Sequence, residues 1–152
     1  MSPHVLIRHA VASDGPAVRA FVTAILWAHS LSTNHLDLQR FGRPFNGALA
    51  ELVAVRDGEV IGMATLYPRG PRTGWISKLF VDPEHRGIGA GRALLAAITD
   101  EARGWGLRRI GLSTLPILRD AVRLYESSGW KRARSRGRGD DRVYWLLLEP
   151  SQ

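Results

Sequence analysis

Cysteine is absent from this 152-residue chain, which excludes disulfides, a thiolate metal site and a cysteine nucleophile. Long apolar runs are also missing. No stretch approaches the roughly 20 residues of a membrane-spanning helix, so no membrane partner is expected. The segment Met1-Ser2-Pro3-His4 lacks a basic stretch followed by an apolar one, so no secretory signal is visible and a cytoplasmic setting is expected. The five histidines show no ligand spacing such as His-x-x-x-His with a carboxylate partner, and no metal is expected. The 45% apolar and 23% charged residues are proportions of a soluble globular protein. The length suits one domain over 1–152 with a real core, and no internal repeat or linker divides it.

Acidic residues are outnumbered, 14 against 21 basic ones, for a formal charge of +7. Six basic residues and two aspartates, Asp140 and Asp141, lie between Lys131 and Arg142, so that short segment holds +4 of the total. An excess of this size can signal nucleic-acid binding. Here it is local and mixed with Gly and Ser, which reads first as a solvated loop and second as a contact for an anionic ligand.

Periodicity and punctuation give the order of elements. Val5–Arg8 reads as an edge strand, and Ser13-Asp14-Gly15-Pro16 as the start of a helix that carries Phe21, Val22, Ile25 and Leu26 to about His29. A short second helix is expected near Leu36–Phe41. Leu52–Val55 and Val60–Leu66 are strands joined by Asp57-Gly58, a strong hairpin signal. Trp75–Val81 is nearly all apolar, as in a strand buried on both faces. A helix follows over Arg92–Trp105, with Leu94, Leu95, Ile98, Ala102 and Trp105 on one stripe. Then come a strand at Arg109–Ser113, a helix at Leu118–Ser128 stopped by Gly129, and a last strand at Val143–Leu148 partnered near Ala133. A mixed sheet covered by helices, α/β or α+β, is the expected class.

Between the Trp75–Val81 strand and the next helix lies Arg86-Gly87-Ile88-Gly89-Ala90-Gly91-Arg92. A glycine-rich loop that opens a helix is an anion site, because the backbone can approach a ligand and the first-turn N–H groups are unpaired. A nucleotide P-loop needs Lys-Ser or Lys-Thr after the last glycine, and Arg92-Ala93 stands there. The dinucleotide fingerprint needs Gly-x-Gly-x-x-Gly and a later acidic residue. Here Gly-x-Gly-x-Gly is followed by a strand ending Ser113-Thr114.

This loop, after Leu79-Phe80-Val81-Asp82-Pro83, resembles the Arg/Gln-x-x-Gly-x-Gly/Ala acyl-CoA loop of the GCN5-related N-acetyltransferase (GNAT) family. Downstream, Leu112-Ser113-Thr114 followed by Ala121-Val122-Arg123-Leu124-Tyr125-Glu126-Ser127-Ser128-Gly129-Trp130 resembles that family's closing pattern, with Trp130 in place of the usual Phe. The resemblance implies a central mixed, mostly antiparallel twisted sheet with a splayed strand pair and about four helices. It implies acetyl-CoA as co-substrate, an amine acceptor, small-molecule or peptide, and a homodimer as a possible assembly. Backbone groups of Leu79, Phe80 and Val81 would pair with the pantetheine arm. N–H groups of Arg86, Gly87, Ile88, Gly89, Ala90 and Gly91 would cradle the pyrophosphate, with Arg86 and Arg92 adding charge. Where many members have an Asn touching the pantetheine, this chain has Leu118, so that contact is lost or passes to Arg119.

Acetyl transfer needs a neutral amine aligned with the thioester, an oxyanion donor and a proton for the leaving thiolate. Without a cysteine nucleophile, direct attack in a ternary complex is expected, with an N–H of the strand before the loop as oxyanion donor. Tyr125 is the candidate general acid, since a phenol near pKa 10 stays protonated beside a thiol near 8.5. Many relatives carry a Glu base six positions before the strand-ending Val, and that position is Trp75. Glu51, Asp37 and His35 are alternative bases, as is a water chain. Residues 29–44 would line the acceptor cleft, with His29, His35, Trp75 and Ser77 as candidate contacts and Tyr67 as a possible wall. The missing Glu and Asn keep a non-catalytic acyl-CoA-binding module open as an alternative.

Overall fold

The computed structural model describes residues 4–32, 38–134 and 141–149. Seven strands form a single sheet in the order β1-β2-β3-β4-β5-β7-β6. They are β1 (Leu6–His9), β2 (Ala50–Arg56), β3 (Glu59–Pro68), β4 (Thr73–Val81), β5 (Arg109–Thr114), β6 (Lys131–Arg132) and β7 (Arg142–Leu147). Three α-helices are present among the described residues: α1 (Gly15–Ala28), α2 (Ala90–Gly104) and α3 (Arg119–Ser127). All strand pairs are antiparallel except β4–β5. The expected class and most of the expected elements are therefore found.

Local chemistry accounts for several boundaries. Asp57 and Gly58 both take positive φ, 50° and 79°, as a two-residue hairpin between right-twisted strands requires. At the N-terminal end, Arg8 donates from both terminal nitrogens to Asp14, each at 2.9 Å, and the Val11 N–H adds a third bond at 2.8 Å. This fork ties β1 to the start of α1 and fixes where the helix begins.

The short helix expected near Leu36–Phe41 is not found in its described part. Leu36 itself lies outside the described residues, and Leu38–Phe41 forms a turn closed by Phe41 N–H to Leu38 C=O. Two apolar residues three apart imitate a helical period. Here both are buried against α1, with Val18, Phe21 and Val22, and they anchor a loop.

Two packed layers flank the sheet. On one face, Leu94, Leu95 and Ile98 of α2 and Tyr125 of α3 pack against Ile61, Leu66, Ile76, Ile110, Leu112 and Tyr144. On the other, α1 packs through Val18, Phe21, Val22 and Ile25 on Val53, Met63 and Phe80. Farther along that second face, beyond α1, stand the half-buried Trp75 and Trp145.

Two irregularities shape the centre. β4 and β5 pair through Thr73–Arg109, Gly74–Ile110 and Trp75–Gly111, then separate, as the splayed pair implied by the family resemblance does. Between β3 and β4 the register shifts, from Leu66–Ile76 to Thr65–Lys78, so that Ser77 bulges out of the ladder.

Candidate active site

The wedge between the diverging halves of β4 and β5 is the floor of a cleft of about 930 Å³. Ser77 to Val81 line one wall and Leu112 to Leu115 the other. From Ile76 onward β4 has no strand partner on its β5 side, so its backbone N–H and C=O groups on that edge face the cleft. The loop after β4 forms the end of the cleft through Arg86, Gly87, Gly89, Ala90, Gly91 and Arg92.

The loop has the geometry of an anion cradle. Gly87 and Gly89 adopt φ of 80° and 85°, and a Cβ at either would meet nothing within 4 Å. Positive φ thus demands glycine here, and the loop surface is open to a ligand. Gly89 is the N-cap of α2, whose first-turn N–H groups have no acceptor within the helix and point towards the loop. The Ile88 side chain packs against the core, so only its backbone faces the loop surface. Arg86 pairs across the cleft with Asp120 on α3 at 2.5 Å, and Arg92 donates to Ser127 and Ser128 at 3.1 and 3.4 Å. Both arginines therefore brace the loop to α3 at the rim where an anion would sit.

Tyr125 projects from α3 into the same cleft. The residue is 4% exposed, between Trp130 and Tyr144 at ring distances of 5.9 and 6.1 Å. Its hydroxyl makes no hydrogen bond among the described residues. Burial pushes the phenol well above its ordinary value, so it is protonated throughout the physiological range.

The acetyltransferase (GNAT) family description matches residues 17–130. Aminoalkylphosphonate N-acetyltransferase of Salmonella typhimurium is 34% identical over 140 residues, covering 86% of this chain and 87% of that one. The chain belongs to the GNAT family of N-acetyltransferases. Solved structures agree on the fold of this acetyltransferase. A GNAT-family acetyltransferase of Staphylococcus aureus matches with a TM-score of 0.84 and 18% identity, covering 96% of this chain and 100% of that one. The PaiA N-acetyltransferase of Thermoplasma acidophilum, solved in complex with coenzyme A, matches with a TM-score of 0.78 and 16% identity, covering 95% and 99%.

The remaining candidates of this acetyltransferase divide into groups. His29, the C-cap of α1, and Ser77, the bulged residue, line the cleft, as do Leu118 and Arg119 at the start of α3. Leu118 is the N-cap of α3 and offers no side-chain cap. Trp75 is not among the cleft-lining residues; its ring stacks edge-on with Trp145 and lies under Arg69. Glu51 is committed elsewhere, since its Oε1 accepts from the Gly42 N–H at 2.9 Å and from the Asn46 amide at 2.5 Å, holding the loop before β2. His35 and Asp37 lie outside the described residues.

Lys78, Asp120 and His85 also line the cleft and carry no sequence signal of their own. Lys78 becomes 9% exposed only because the bulge turns it in towards Tyr67. His85 stands with Glu59 and Asp82, their ligand-type atoms within 4.8 Å of one another, and with Arg56 at 3.5 Å. The cationic Arg56 makes this a hydrogen-bonded surface group at the cleft rim.

Proposed function

We propose that the chain, acting as one domain, transfers the acetyl group of acetyl-CoA to a small amine by direct attack in a ternary complex. The observation that carries this reading is the wedge between β4 and β5 ending on a glycine loop at a helix N-terminus. An extended thioester arm fits the unpaired edge of Leu79, Phe80 and Val81 as an added strand. A pyrophosphate fits the N–H groups of Arg86 to Gly91, whose open positive-φ glycines leave room for it.

In this reading the bulge at Ser77 turns the β4 backbone so that an N–H there meets the charge developing on the thioester oxygen. Tyr125, held at the cleft between Trp130 and Tyr144, gives its proton to the leaving sulfur. His29, the C-cap of α1, stands on the α1 side of the cleft and is the candidate to take the amine's proton. The relative that acts on aminoalkylphosphonates spans most of this chain and favours a small acceptor over a peptide. Among the described residues no helix is long and apolar enough to cross a membrane, and a cytoplasmic setting is part of the proposal.

The test is thiol release from acetyl-CoA across a panel of amines, with Tyr125→Phe beside the wild type. The variant is expected to lose about a hundredfold in kcat while its acetyl-CoA affinity stays within about twofold. An unchanged kcat removes Tyr125 from the mechanism. Tight acetyl-CoA binding without thiol release from any amine favours the non-catalytic binding module.

A further inference from the structure

The sheet face that carries α1 changes character at Trp75. Ile110, Leu112 and Tyr144 point into the core under α2 and α3. Gly111 and Trp145, each one residue along, therefore face the other way. Trp75 is in register with Gly111, and its ring meets that of Trp145 edge-on, with centroids 5.6 Å apart.

Each of these rings carries an arginine. The Arg69 guanidinium lies 3.8 Å from the Trp75 ring centroid, and that of Arg109 lies 4.7 Å from the Trp145 centroid. Arg109 is held further by its Nε donating to Thr73 Oγ1 at 3.1 Å. Among the described residues neither arginine has a carboxylate within ion-pair reach, whereas Arg8, Arg86 and Arg103 each have one. Stacking on tryptophan orders a guanidinium in advance and leaves its N–H edge open, and that edge matches an oxyanion with two parallel bonds.

The position of the pair relative to the cleft gives it meaning. Ser77 is two residues along β4 from Trp75, about 7 Å at the rise of an extended chain. Its side chain shares the face of Trp75, because Ser77 Oγ is 2.6 Å from Thr65 Oγ1, and Thr65 alternates with Ala64 and Leu66 of the opposite core. Arg69, opposite Thr73 at the turn end of β4, thus carries its guanidinium over Trp75 on the same face of the sheet as the bulge, at the border of the cleft.

The geometry points to an anion subsite for the acceptor, made by Arg69 on Trp75 and flanked by Arg109 on Trp145. The acceptor is a short amine that carries a phosphonate, phosphate or carboxylate group. This rests on the acetyltransferase reading of the cleft and adds which end of the acceptor is gripped, and by what.

Two measurements on the full chain test it. In the first, propylphosphonate, which has no amine, is titrated calorimetrically into wild type, Arg69→Gln and Arg72→Gln. Arg72 lies in the same β3–β4 turn and serves as a control of equal charge. In the second, thiol release is followed with 2-aminoethylphosphonate, β-alanine and propylamine. Arg69→Gln is expected to raise the propylphosphonate dissociation constant and the KM of both acids about tenfold or more. Arg72→Gln stays within about twofold throughout, and propylamine kinetics are the same in all three proteins. Propylphosphonate binding unchanged by Arg69→Gln, or propylamine affected as strongly as the acids, overturns the subsite. Propylphosphonate bound through Arg69 with no thiol release from any amine supports the anion site and overturns the transfer reading instead.

Discussion

Replacing Gly111 by alanine tests the packing beneath the arginine pair. A Cβ built at Gly111 would lie 2.6 Å from Trp75 Cζ3 and 2.7 Å from Trp145 Cζ3. Neither contact involves the free end of a flexible chain, and both rings must move. Overpacking of this kind costs about 1–3 kcal/mol, and the lower chain entropy of unfolded alanine returns about 0.4–1 kcal/mol. At mid-range the net loss is about 1.3 kcal/mol, which for a chain of this length lowers Tm by about 3–5 °C. Thermal unfolding followed by far-UV circular dichroism measures it, and near-UV dichroism reports the displaced tryptophans. Adding Trp145→Leu removes one clashing ring, so the double variant should recover about 1 kcal/mol relative to additivity. A Gly111→Ala protein that melts at or above the wild type would refute the edge-on contact as the reason for glycine there.

Three other substitutions have expected outcomes. Gly89→Ala places a side chain at φ 85° in open space, so it should cost about 1–2 kcal/mol in stability through backbone strain and weaken coenzyme A binding, read by calorimetry. Asp120→Asn releases Arg86 from its partner and should tighten coenzyme A binding about two- to fivefold at low salt, an advantage that fades at high salt. The Arg8 guanidinium, opposed by partial burial, holds the Asp14 carboxyl below its usual range. A depressed carboxylate contributes stability above its unfolded value near pH 3.9 and loses it as pH falls through the folded value. The stability deficit of Asp14→Asn, from denaturant unfolding, should therefore be full at neutral pH and shrink steadily below about pH 4.

What could be read from the sequence was what depends on neighbours along the chain. Asp57-Gly58 names its own turn, and the stripe Leu94, Leu95, Ile98 and Ala102 its own helix. Gly87 and Gly89 of the loop mark where backbone must take positive φ. What could not be read depends on residues brought together from far apart. In the sequence Trp75 reads only as a candidate acceptor contact. Its surroundings are set by Gly111 and Trp145, 36 and 70 residues later. Nothing local marks Ser77 as a bulge, so the inward turn of Lys78 was equally hidden. Glu51 reads as an available base in the sequence, whereas in the fold its Oε1 accepts from the Gly42 N–H and the Asn46 amide. In the described part of Leu36–Phe41 the reason is the opposite, since Leu38 and Phe41, at the right spacing for a helix, serve a turn.

The short pairing of β4 with β5 has a consequence for the lifetime of the protein. Among the described residues, three residue pairs of β4 with β5 join the ladder of the first four strands to that of the last three. On the proposed chemistry, the acyl donor completes that ladder as a temporary strand. Occupancy at a hundred times the dissociation constant then adds about 2.7 kcal/mol to folding. A shift of that size changes the unfolded fraction about a hundredfold, and with it exposure to proteases. The abundance of this enzyme would follow the supply of its acyl donor, so that a starved cell would both slow the reaction and shed the catalyst.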